Sequence, residues 1–149
     1  MKPTTWNYEP QRPAFSRALM ALGNTRKEIV VASADLSSSV GTHAFSQEFP
    51  ERHYNFGIAE QNMISTCAGI ASTGKVVFAS SFAIFCTGRV YDQIRQSVCY
   101  PKLNVKIVAT HAGITVGGDG ATHQMIEDLA LMRALPNMTV VVPADAPET

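Results

Sequence analysis

Blocks of apolar residues alternate with polar stretches along the chain, and their spacing predicts strands and helices in turn. Short unbroken runs of β-prone apolar residues are typical of strands covered on both faces, whereas apolar residues three or four positions apart indicate helices. The predicted strands are residues 29–32, 52–56, 75–80, 105–110 and 139–142. The predicted helices are residues 13–22, 57–72, 81–100 and 124–135. Because the two kinds of element alternate, we predict an α/β fold of three layers (α/β/α), with helices on both faces of a mainly parallel sheet and ligands beyond the carboxyl ends of the strands.

The predicted domain is preceded by an arm. Residues 1–12 contain prolines together with Trp6 and Tyr8 and lack a periodic pattern, so we predict an irregular N-terminal segment that docks through its aromatic side chains. Residues 13–149 then form one domain of ordinary size, long enough to bury a hydrophobic core.

Individual residues are predicted to shape the helices and loops. Gly23 ends the first helix, Gly74 caps the second, and Ser81 caps the third. Residues 35–42 are small and polar and residues 111–122 are rich in glycine, so both are predicted to be loops that follow strands. The inward faces are predicted to carry Phe15, Ala18, Leu19 and Leu22 in the first helix and Ile126, Leu129, Ala130 and Met132 in the last.

The composition excludes several classes of protein but does not identify the function. Lysine plus arginine equals aspartate plus glutamate at 12 each, so the chain has no basic surface for nucleic acid or anionic lipid. The three cysteines are Cys67, Cys86 and Cys99; their odd number, wide spacing and apolar surroundings indicate reduced core thiols in a cytoplasmic protein. No signal peptide or apolar run of about 20 residues indicates a membrane span, and no residue set indicates a metal site.

One carboxylate lies on a face that is predicted to be buried. In a helix that begins near Gly57, the residues stacked on Glu60 are all apolar: Ile64, Cys67, Ala68 and Ala71. A carboxyl group there loses hydration, which favours its protonated form, while the helix dipole favours its charged form. Such a group is able to share a proton, although the pattern alone also fits a solvated glutamate in a first helical turn.

The segment around Glu60 resembles a known signature. Phe56 and the run Gly-Ile-Ala-Glu-Gln-Asn-Met at 57–63 are similar to the signature of the pyrimidine-binding domain of thiamine-diphosphate enzymes. The branch is the one that holds two-chain transketolases and deoxyxylulose-phosphate synthases. The resemblance implies the thiamine-diphosphate-binding fold of pyrimidine-domain type. It also implies that Glu60 binds and activates the cofactor by sharing a proton with its aminopyrimidine ring.

Two aromatic residues gain a role from the same resemblance. By spacing alone, Phe82 and Phe85 are core aromatics at the start of a helix. In transketolases the matching aromatics line the pocket of the aminopyrimidine ring. The family's single-chain members usually have a third aromatic where this chain has Gly88, so we expect a looser pocket or one completed by another residue. Residues 88–95 also resemble the two-chain branch, and we interpret their charged side chains as solvated or interface positions.

A glycine-rich loop carries two histidines and an aspartate. It begins Thr-His-Ala-Gly at 110–113 and ends Gly-Asp-Gly-Ala-Thr-His-Gln at 118–124, a close match to transketolase. The resemblance implies that His111 and His123 are catalytic residues that contact oxygens of a sugar substrate or its phosphate, and that Asp119 accepts a hydrogen bond from a substrate hydroxyl. Deoxyxylulose-phosphate synthases usually read Asp-Arg-Ala-Gly here, so His111 favours transketolase.

Three further residues match family positions more weakly. Ser39 and Arg12 fall where transketolases bind the phosphate of the acceptor substrate, and a guanidinium suits the paired oxygens of a phosphate. For Arg12 a solvated arginine is the alternative. Asp35, at the end of the first predicted strand, resembles a position near the cofactor at the subunit interface.

The metal-binding half of the cofactor site is expected on a partner. Gly-Asp-Gly at 118–120 looks like the start of the family's Mg²⁺ motif, but Asn137 follows too soon and leads into a predicted strand. Since Mg²⁺ needs a near-octahedral set of oxygen ligands, we predict no metal ligands in this chain. The resemblance implies that thiamine diphosphate is shared with a partner chain or domain, which holds its diphosphate and Mg²⁺.

The resemblance covers residues 12–149 but only one of three family domains. The diphosphate-binding domain and the C-terminal transketolase domain are absent, and residues 143–149 resemble the lead into a further helix, which suggests a longer protein. We therefore expect the pyrimidine-binding subunit of a two-chain transketolase, inactive alone, in a homo- or hetero-oligomer that moves a two-carbon ketol unit between sugar phosphates. The alternatives are a deoxyxylulose-phosphate synthase domain and a non-catalytic truncated relative that only binds a partner.

Overall fold

The computed structural model describes residues 9–149, which form one parallel sheet with helices on both faces. The strands are β1 (Ile29–Ser33), β2 (His53–Asn55), β3 (Val76–Phe82) and β4 (Val105–Thr110). The helices are α1 (Gln11–Thr25), α2 (Ser37–Val40), α3 (His43–Glu48), α4 (Glu60–Ser72), α5 (Tyr91–Gln93) and α6 (Asp128–Arg133). The strand order is β2-β1-β3-β4, and every pairing is parallel. The predicted α/β fold of three layers is confirmed.

The sheet has an apolar core on each face. All five residues of β1 are buried, because this central strand pairs with β2 and β3 and is covered on both sides. On one face, β1 and β3 pack against α4 through Val30, Ala32, Met63, Ile64, Cys67, Ala68, Val77 and Ala79. On the other face, Ile29 and Val31 pack against Leu19, Phe45 and Phe49 of the N-terminal third. The continuous apolar runs follow from this double burial.

Helix α1 differs from its predicted limits at both ends. It begins at Gln11 rather than Pro13, so the end of the predicted arm is helical, and the docking predicted for Trp6 and Tyr8 lies outside the described residues. Leu19 is buried as expected, whereas Ala18 and Leu22 are exposed. Gly23 does not end the helix: it lies buried in the last turn, where an added Cβ would come within 2.6 Å of Phe45 and 2.7 Å of Phe49.

The predicted loop 35–42 is partly helical. It contains α2, and α3 and a 3₁₀ turn at Pro50–Arg52 follow before β2. The guanidinium carbon of Arg52 lies 4.1 Å from the ring centre of Phe49, and its nitrogens donate to the carbonyl oxygens of Gly23 (3.1 Å) and Arg26 (3.0 Å). A positive charge at the carboxyl end of a helix is favourable, so Arg52 stabilises the packing of the end of α1 against Phe49.

The region between β3 and β4 is not the single regular helix that the sequence predicts. Ser81 and Phe82 belong to β3, so Ser81 caps no helix and Phe82 ends a strand. Two wide π-helical turns, Ile84–Gly88 and Ile94–Cys99, flank the short helix α5. Wide turns of this kind are frequent at functional sites.

The C-terminal part forms less regular structure than predicted. Helix α6 is shorter than 124–135, and Ile126, Leu129 and Ala130 are exposed while Met132 is buried. Residues 139–142 form no strand, and an open cleft lies between them and β4. An apolar β-prone run becomes a strand only where it can pair, and Val141 is 75% exposed.

The cysteines are buried free thiols, as the sequence predicts. Burial raises the pKa of Cys67 to about 12 and also raises the pKa values of Cys86 and Cys99. Within residues 9–149, none of the helices has the length and apolar character that a membrane crossing requires.

Candidate functional site

The carboxyl ends of the four strands bring the candidate residues to one edge of the sheet. Asp35 follows β1, Asn55 ends β2, Phe82 ends β3, and His111 follows β4. Parallel strands present the same end at the same edge, so residues that are far apart in sequence meet there. This is the edge at which ligands bind in parallel α/β sheets.

Glu60 is buried, as its predicted helical face requires. It is the first residue of α4 and only 2% exposed. The chain enters this helix through Gly57, whose φ of +65° lies in the left-handed region that glycine accepts without strain. The carboxylate therefore lies at the amino end of α4, where the helix dipole favours negative charge.

Arg89 is a partner of Glu60 that the sequence analysis missed. Its Nη1 donates to Glu60 Oε2 at 2.9 Å, and its guanidinium carbon lies 4.2 Å from the ring centre of Phe85. We interpreted the charged residues of 88–95 as solvated or interface positions, and for Arg89 this is incomplete. The spacing of four from Phe85 is visible in the sequence, but the contact with Glu60 joins residues 29 positions apart.

Phe82 and Phe85 form a pair of nearly parallel rings beside this ion pair. Their centroids are 6.0 Å apart and their planes differ by 9°. Phe82 is 5% exposed and Phe85 is half-buried, and the guanidinium of Arg89 lies over the Phe85 ring. A Cβ at Gly88 would lie 3.7 Å from the Cε of Met125. A buried methionine thus borders Gly88, where the resemblance led us to expect a looser pocket or one completed by another residue.

The two histidines of the glycine-rich loop converge on the aromatic pair. The ring of His111 lies on Phe82, with centroids 3.9 Å apart, and His123 points edge-on at Phe85 at 5.3 Å. The loop that joins them is closed by two backbone hydrogen bonds between Gly113 and Met125, of 2.7 and 3.0 Å. Closing the loop at its base helps to bring both imidazole rings to the aromatic pair.

His111 has a distinct electrostatic environment. Burial lowers the pKa of His111, the positive charge of Arg12 lowers it further, and the negative charge of Asp119 opposes both. Its Nδ1 lies 2.9 Å from the hydroxyl of Thr110. Asp119 is exposed on the loop. A neutral imidazole in this position can both donate and accept hydrogen bonds.

Arg12 and Ser39 meet at the same edge. Arg12 Nη1 donates to the backbone oxygen of Ser39 at 2.8 Å, although the two residues belong to α1 and α2. The structure therefore brings together the two residues that the resemblance assigned to phosphate. The guanidinium of Arg12 retains further donors, since the side chain is exposed.

Asn55 organises the approach to Glu60 and was not predicted. Its Oδ1 accepts the backbone N–H groups of Asp35 (2.9 Å) and Gly57 (3.1 Å), and its Nδ2 faces Asp35 Oδ1 at 3.4 Å. Asp35 has a φ of +60°. Asparagine is able to stabilise a turn of this kind through its side chain. In the sequence, the signal for this role was the place of Asn55 near the end of a predicted strand.

Asn137, the asparagine that follows Gly-Asp-Gly at 118–120, has a contact within the fold. Asn137 donates from Nδ2 to the backbone oxygen of Cys99 at 3.1 Å. In the described part of the chain, no three histidine, cysteine, aspartate or glutamate side chains form a group that could hold a metal ion.

Comparison with known families assigns the domain. The sequence model of the family described as "Transketolase, pyrimidine binding domain" matches residues 10–149. The chain belongs to the transketolase pyrimidine-binding family. Buried Glu60, the paired phenylalanines and the two loop histidines are thus features of a pyrimidine-binding domain, and the resemblance read from residues 57–63 is confirmed.

Relatives of this pyrimidine-binding domain include parts of divided transketolases. A protein named as a transketolase C-terminal section from Methanocaldococcus jannaschii is 59% identical over 138 residues, which cover 93% of this chain and 44% of the relative. A 6-deoxy-6-sulfo-D-fructose transketolase subunit from a Clostridium species is 41% identical over 91% of this chain and 42% of the relative. The chain thus spans less than half of the length of these relatives.

Solved structures give the same assignment. A structure described as a split-gene transketolase, inactive β4 tetramer, is 55% identical with a TM-score of 0.82, covering 95% of this chain and 46% of that one. The transketolase of Campylobacter jejuni is 32% identical with a TM-score of 0.84, covering 92% of this chain and 22% of that one. The pyrimidine-binding domain therefore has the same fold in divided and undivided members of the family.

Proposed function

We propose that this domain provides the pyrimidine-binding half of a thiamine-diphosphate site in a two-chain transketolase. The assembled enzyme would transfer a two-carbon ketol unit from a ketose phosphate to an aldose phosphate. The observation that carries the proposal is the buried carboxylate of Glu60 next to the parallel rings of Phe82 and Phe85.

The residues present fit the aminopyrimidine ring of the cofactor. A planar heterocycle needs an aromatic face on which to stack, and half-buried Phe85 has one, over which the Arg89 guanidinium lies. The ring nitrogen of the heterocycle needs a carboxyl group that can hold a proton. Glu60 is such a group, and it lies near Phe85, because one guanidinium contacts both residues. When bound, thiamine diphosphate supplies a carbon acid that carries the two-carbon unit. The role of Glu60 is to hold and move the proton that activates it.

The loop histidines would bind the sugar. His111 and His123 lie on the side of the aromatic pair that faces the glycine-rich loop, where their ring nitrogens can bond to sugar oxygens. Asp119 would accept a hydrogen bond from a hydroxyl group, and Arg12 with Ser39 would bind the acceptor's phosphate. Asp35, held by Asn55, would contact the cofactor from the end of β1.

The diphosphate and Mg²⁺ are assigned to a partner chain or domain. Relatives named as a C-terminal section or as a subunit support a divided enzyme. Ile58, which lies two residues before Glu60 and is 79% exposed, is an apolar residue suited to such a contact. The same surface would support self-association of the free chain, in accord with a relative described as an inactive β4 tetramer.

The test is an assay of the assembled enzyme with one carboxylate changed. The chain is purified with the partner that it captures in the presence of thiamine diphosphate and Mg²⁺, and ketol transfer is measured with ketose and aldose phosphates. Glu60→Gln should abolish turnover while assembly, measured by size-exclusion chromatography, is unchanged. Glu48→Gln, which alters an exposed carboxylate at the end of α3, is the control. Full activity of the Glu60→Gln variant would contradict the proposal.

The same preparation separates the proposal from its nearest alternative. A deoxyxylulose-phosphate synthase would release carbon dioxide from pyruvate in the presence of glyceraldehyde 3-phosphate and would not transfer a ketol unit between sugar phosphates. The Thr110-His111 pair favours transketolase over that enzyme.

A further inference from the structure

The ion pair between Arg89 and Glu60 closes the region where the proposed cofactor ring would bind. Arg89 reaches Glu60 Oε2 at 2.9 Å, and its guanidinium carbon lies 4.2 Å from the centre of the Phe85 ring. The Glu60 side chain is 2% exposed and that of Arg89 is 43% exposed, so solvent reaches the pair from the arginine side. A buried carboxylate requires a partner, and within residues 9–149 Arg89 is the cation that pairs with Glu60.

The guanidinium makes the same two contacts that an aminopyrimidine ring would need. Both groups are planar and delocalised, and both carry N–H donors. A guanidinium stacks on aromatic rings and pairs with carboxylates. An aminopyrimidine would stack on the phenyl ring of Phe85 and bond to the carboxyl group of Glu60. Two planar groups cannot occupy this space together, so Arg89 and the ring compete for it.

We propose that Arg89 is a positioning residue: it holds the Glu60 carboxylate in the cofactor-free protein by taking the place of the aminopyrimidine ring, and it swings out when the cofactor binds. This inference rests on the proposed function, because it takes the ring to bind between Glu60 and Phe85. It adds a step that the family assignment does not contain, namely that the cofactor displaces a side chain of this chain.

The local structure allows Arg89 to move without moving its backbone. Arg89 lies at the junction between the π-helical turn Ile84–Gly88 and α5, next to exposed Gly88. Its backbone oxygen accepts a hydrogen bond from Gln61 Nε2 at 3.0 Å. The main chain is therefore tied to α4, while the long side chain, exposed over nearly half of its surface, is free to rotate into solvent.

The exchange has a measurable effect on affinity. When a protein must leave one state before a ligand binds, the apparent dissociation constant rises by the inverse of the fraction that is competent to bind. For a partly exposed ion pair we expect the pairing to weaken cofactor binding by about three- to tenfold. The benefit of the pairing is that the buried carboxylate of Glu60 has a partner in the cofactor-free protein as well.

The first arm of the test measures the pairing in the assembled protein without cofactor. The midpoint of thermal unfolding is compared for Arg89→Met in two backgrounds, the natural one and Glu60→Gln. We expect Arg89→Met to lower the midpoint by several degrees in the natural background and much less with Glu60→Gln. Arg95→Met is the matched control, since Arg95 is exposed in the following turn, and it should act alike in both backgrounds. Equal effects of Arg89→Met in the two backgrounds would overturn the inference.

The second arm measures the affinity for thiamine diphosphate by calorimetry, in the assembled protein with Mg²⁺. Arg89→Met should bind the cofactor about three- to tenfold more tightly than the natural protein, and Arg95→Met should match the natural protein. Unchanged or weaker binding by Arg89→Met would overturn the inference, because Arg89 would then belong to the bound site. If neither the natural protein nor Arg89→Met bound the cofactor, the proposed function would fall. That outcome is distinct from a failure of the inference alone.

Discussion

The imidazole ring of His111 lies on the phenyl ring of Phe82, with the two centroids 3.9 Å apart. This contact joins the end of β4 to the end of β3, and so joins the residues proposed for the sugar to those proposed for the cofactor. Because Phe82 is 5% exposed, it shields one face of the imidazole from water. The residues proposed for the sugar and those proposed for the cofactor therefore meet in this contact, and the contact contributes to the burial of His111.

The first prediction concerns the titration of His111. The positive charge of Arg12 lowers the pKa of His111 and the negative charge of Asp119 raises it. Arg12→Met should therefore raise this pKa, and Asp119→Asn should lower it further. Proton NMR titration of the imidazole resonances measures both shifts. A shift of the same sign in the two variants would show that the charges do not act directly on the ring.

The second prediction is a loss of stability in mild acid. Burial lowers the pKa values of both His53 and His111 in the folded protein, whereas an unfolded histidine titrates near about 6.5. As the pH falls through that value, the unfolded chain binds more protons, so the free energy of unfolding falls. Above that pH, the contribution of the two neutral rings to the free energy of unfolding is fully present.

Urea denaturation at pH 7.5 and pH 5.5 measures this effect. We expect a lower midpoint at pH 5.5 and a smaller difference between the two pH values in the double variant His53→Gln/His111→Gln. An unchanged difference in that variant would assign the acid sensitivity to other groups.

The third prediction concerns Asn55, which accepts the backbone N–H groups of Asp35 and Gly57. Asn55→Ala removes both acceptors and should destabilise the domain by about 1 kcal/mol, since the site is open to water. Asn55→Asp keeps an acceptor oxygen for both bonds and should lose less stability, provided that it is measured together with Asp35→Asn, which removes the carboxylate that now faces Asn55 Nδ2 at 3.4 Å. Turnover of the assembled enzyme should fall in the alanine variant, because Asp35 and the turn before Glu60 lose their support.

The control for Asn55 is Asn62→Ala, an exposed position on α4. It should leave both stability and turnover near their natural values. In the Asp35→Asn background, a loss of stability in Asn55→Asp as large as that in Asn55→Ala would indicate that the stability does not depend on the two accepted bonds.

The fourth prediction compares two glycines within helices. Gly23→Ala places a methyl group 2.6 Å from Phe45, so despite better helix propensity it should destabilise the domain by about 1–3 kcal/mol through overpacking. Gly69→Ala on α4 meets no atom within 4 Å and should stabilise the domain by up to about 1 kcal/mol. Chemical denaturation of both variants measures the two changes, and a change of the same sign would contradict the packing described for α1.

The sheet and the burial of Glu60 were predictable because their signals are local. An unbroken apolar run such as 29–32 and small apolar residues at helical spacing after Glu60 each mark a buried face without knowledge of the rest of the fold. The family signature then added chemical roles that no periodicity could supply. His111 and His123 were found in the same way, since the loop that brings them together is rich in glycine.

The missed features depend on contacts between distant residues. Arg89 is exposed over nearly half of its side chain and looks like a solvated cation until α4 is packed beside it. Asn55 ends a three-residue edge strand, and one of its partners, Asp35, comes from the loop after β1, 20 positions away. The inward face predicted for 124–135 was wrong because Met125 pairs with Gly113 of the glycine-rich loop, and the helix begins only at Asp128.

The missing pairing of residues 139–142 has a practical consequence for handling the free chain. Strand β4 is one of the two outer strands of the sheet, and in sequence it reads Val-Lys-Ile-Val-Ala-Thr, with Lys106 as its one charge. An outer strand of this length offers its unpaired backbone groups to any similar strand, and lysine is a residue that natural proteins place on such strands to prevent this. We therefore expect Lys106 to hinder pairing with strands of other molecules, and so to reduce fibrous or amorphous aggregation. Preparations of the chain should be handled dilute, with its partner added early, and neutral substitutions at Lys106 should shorten the time before the solution turns turbid.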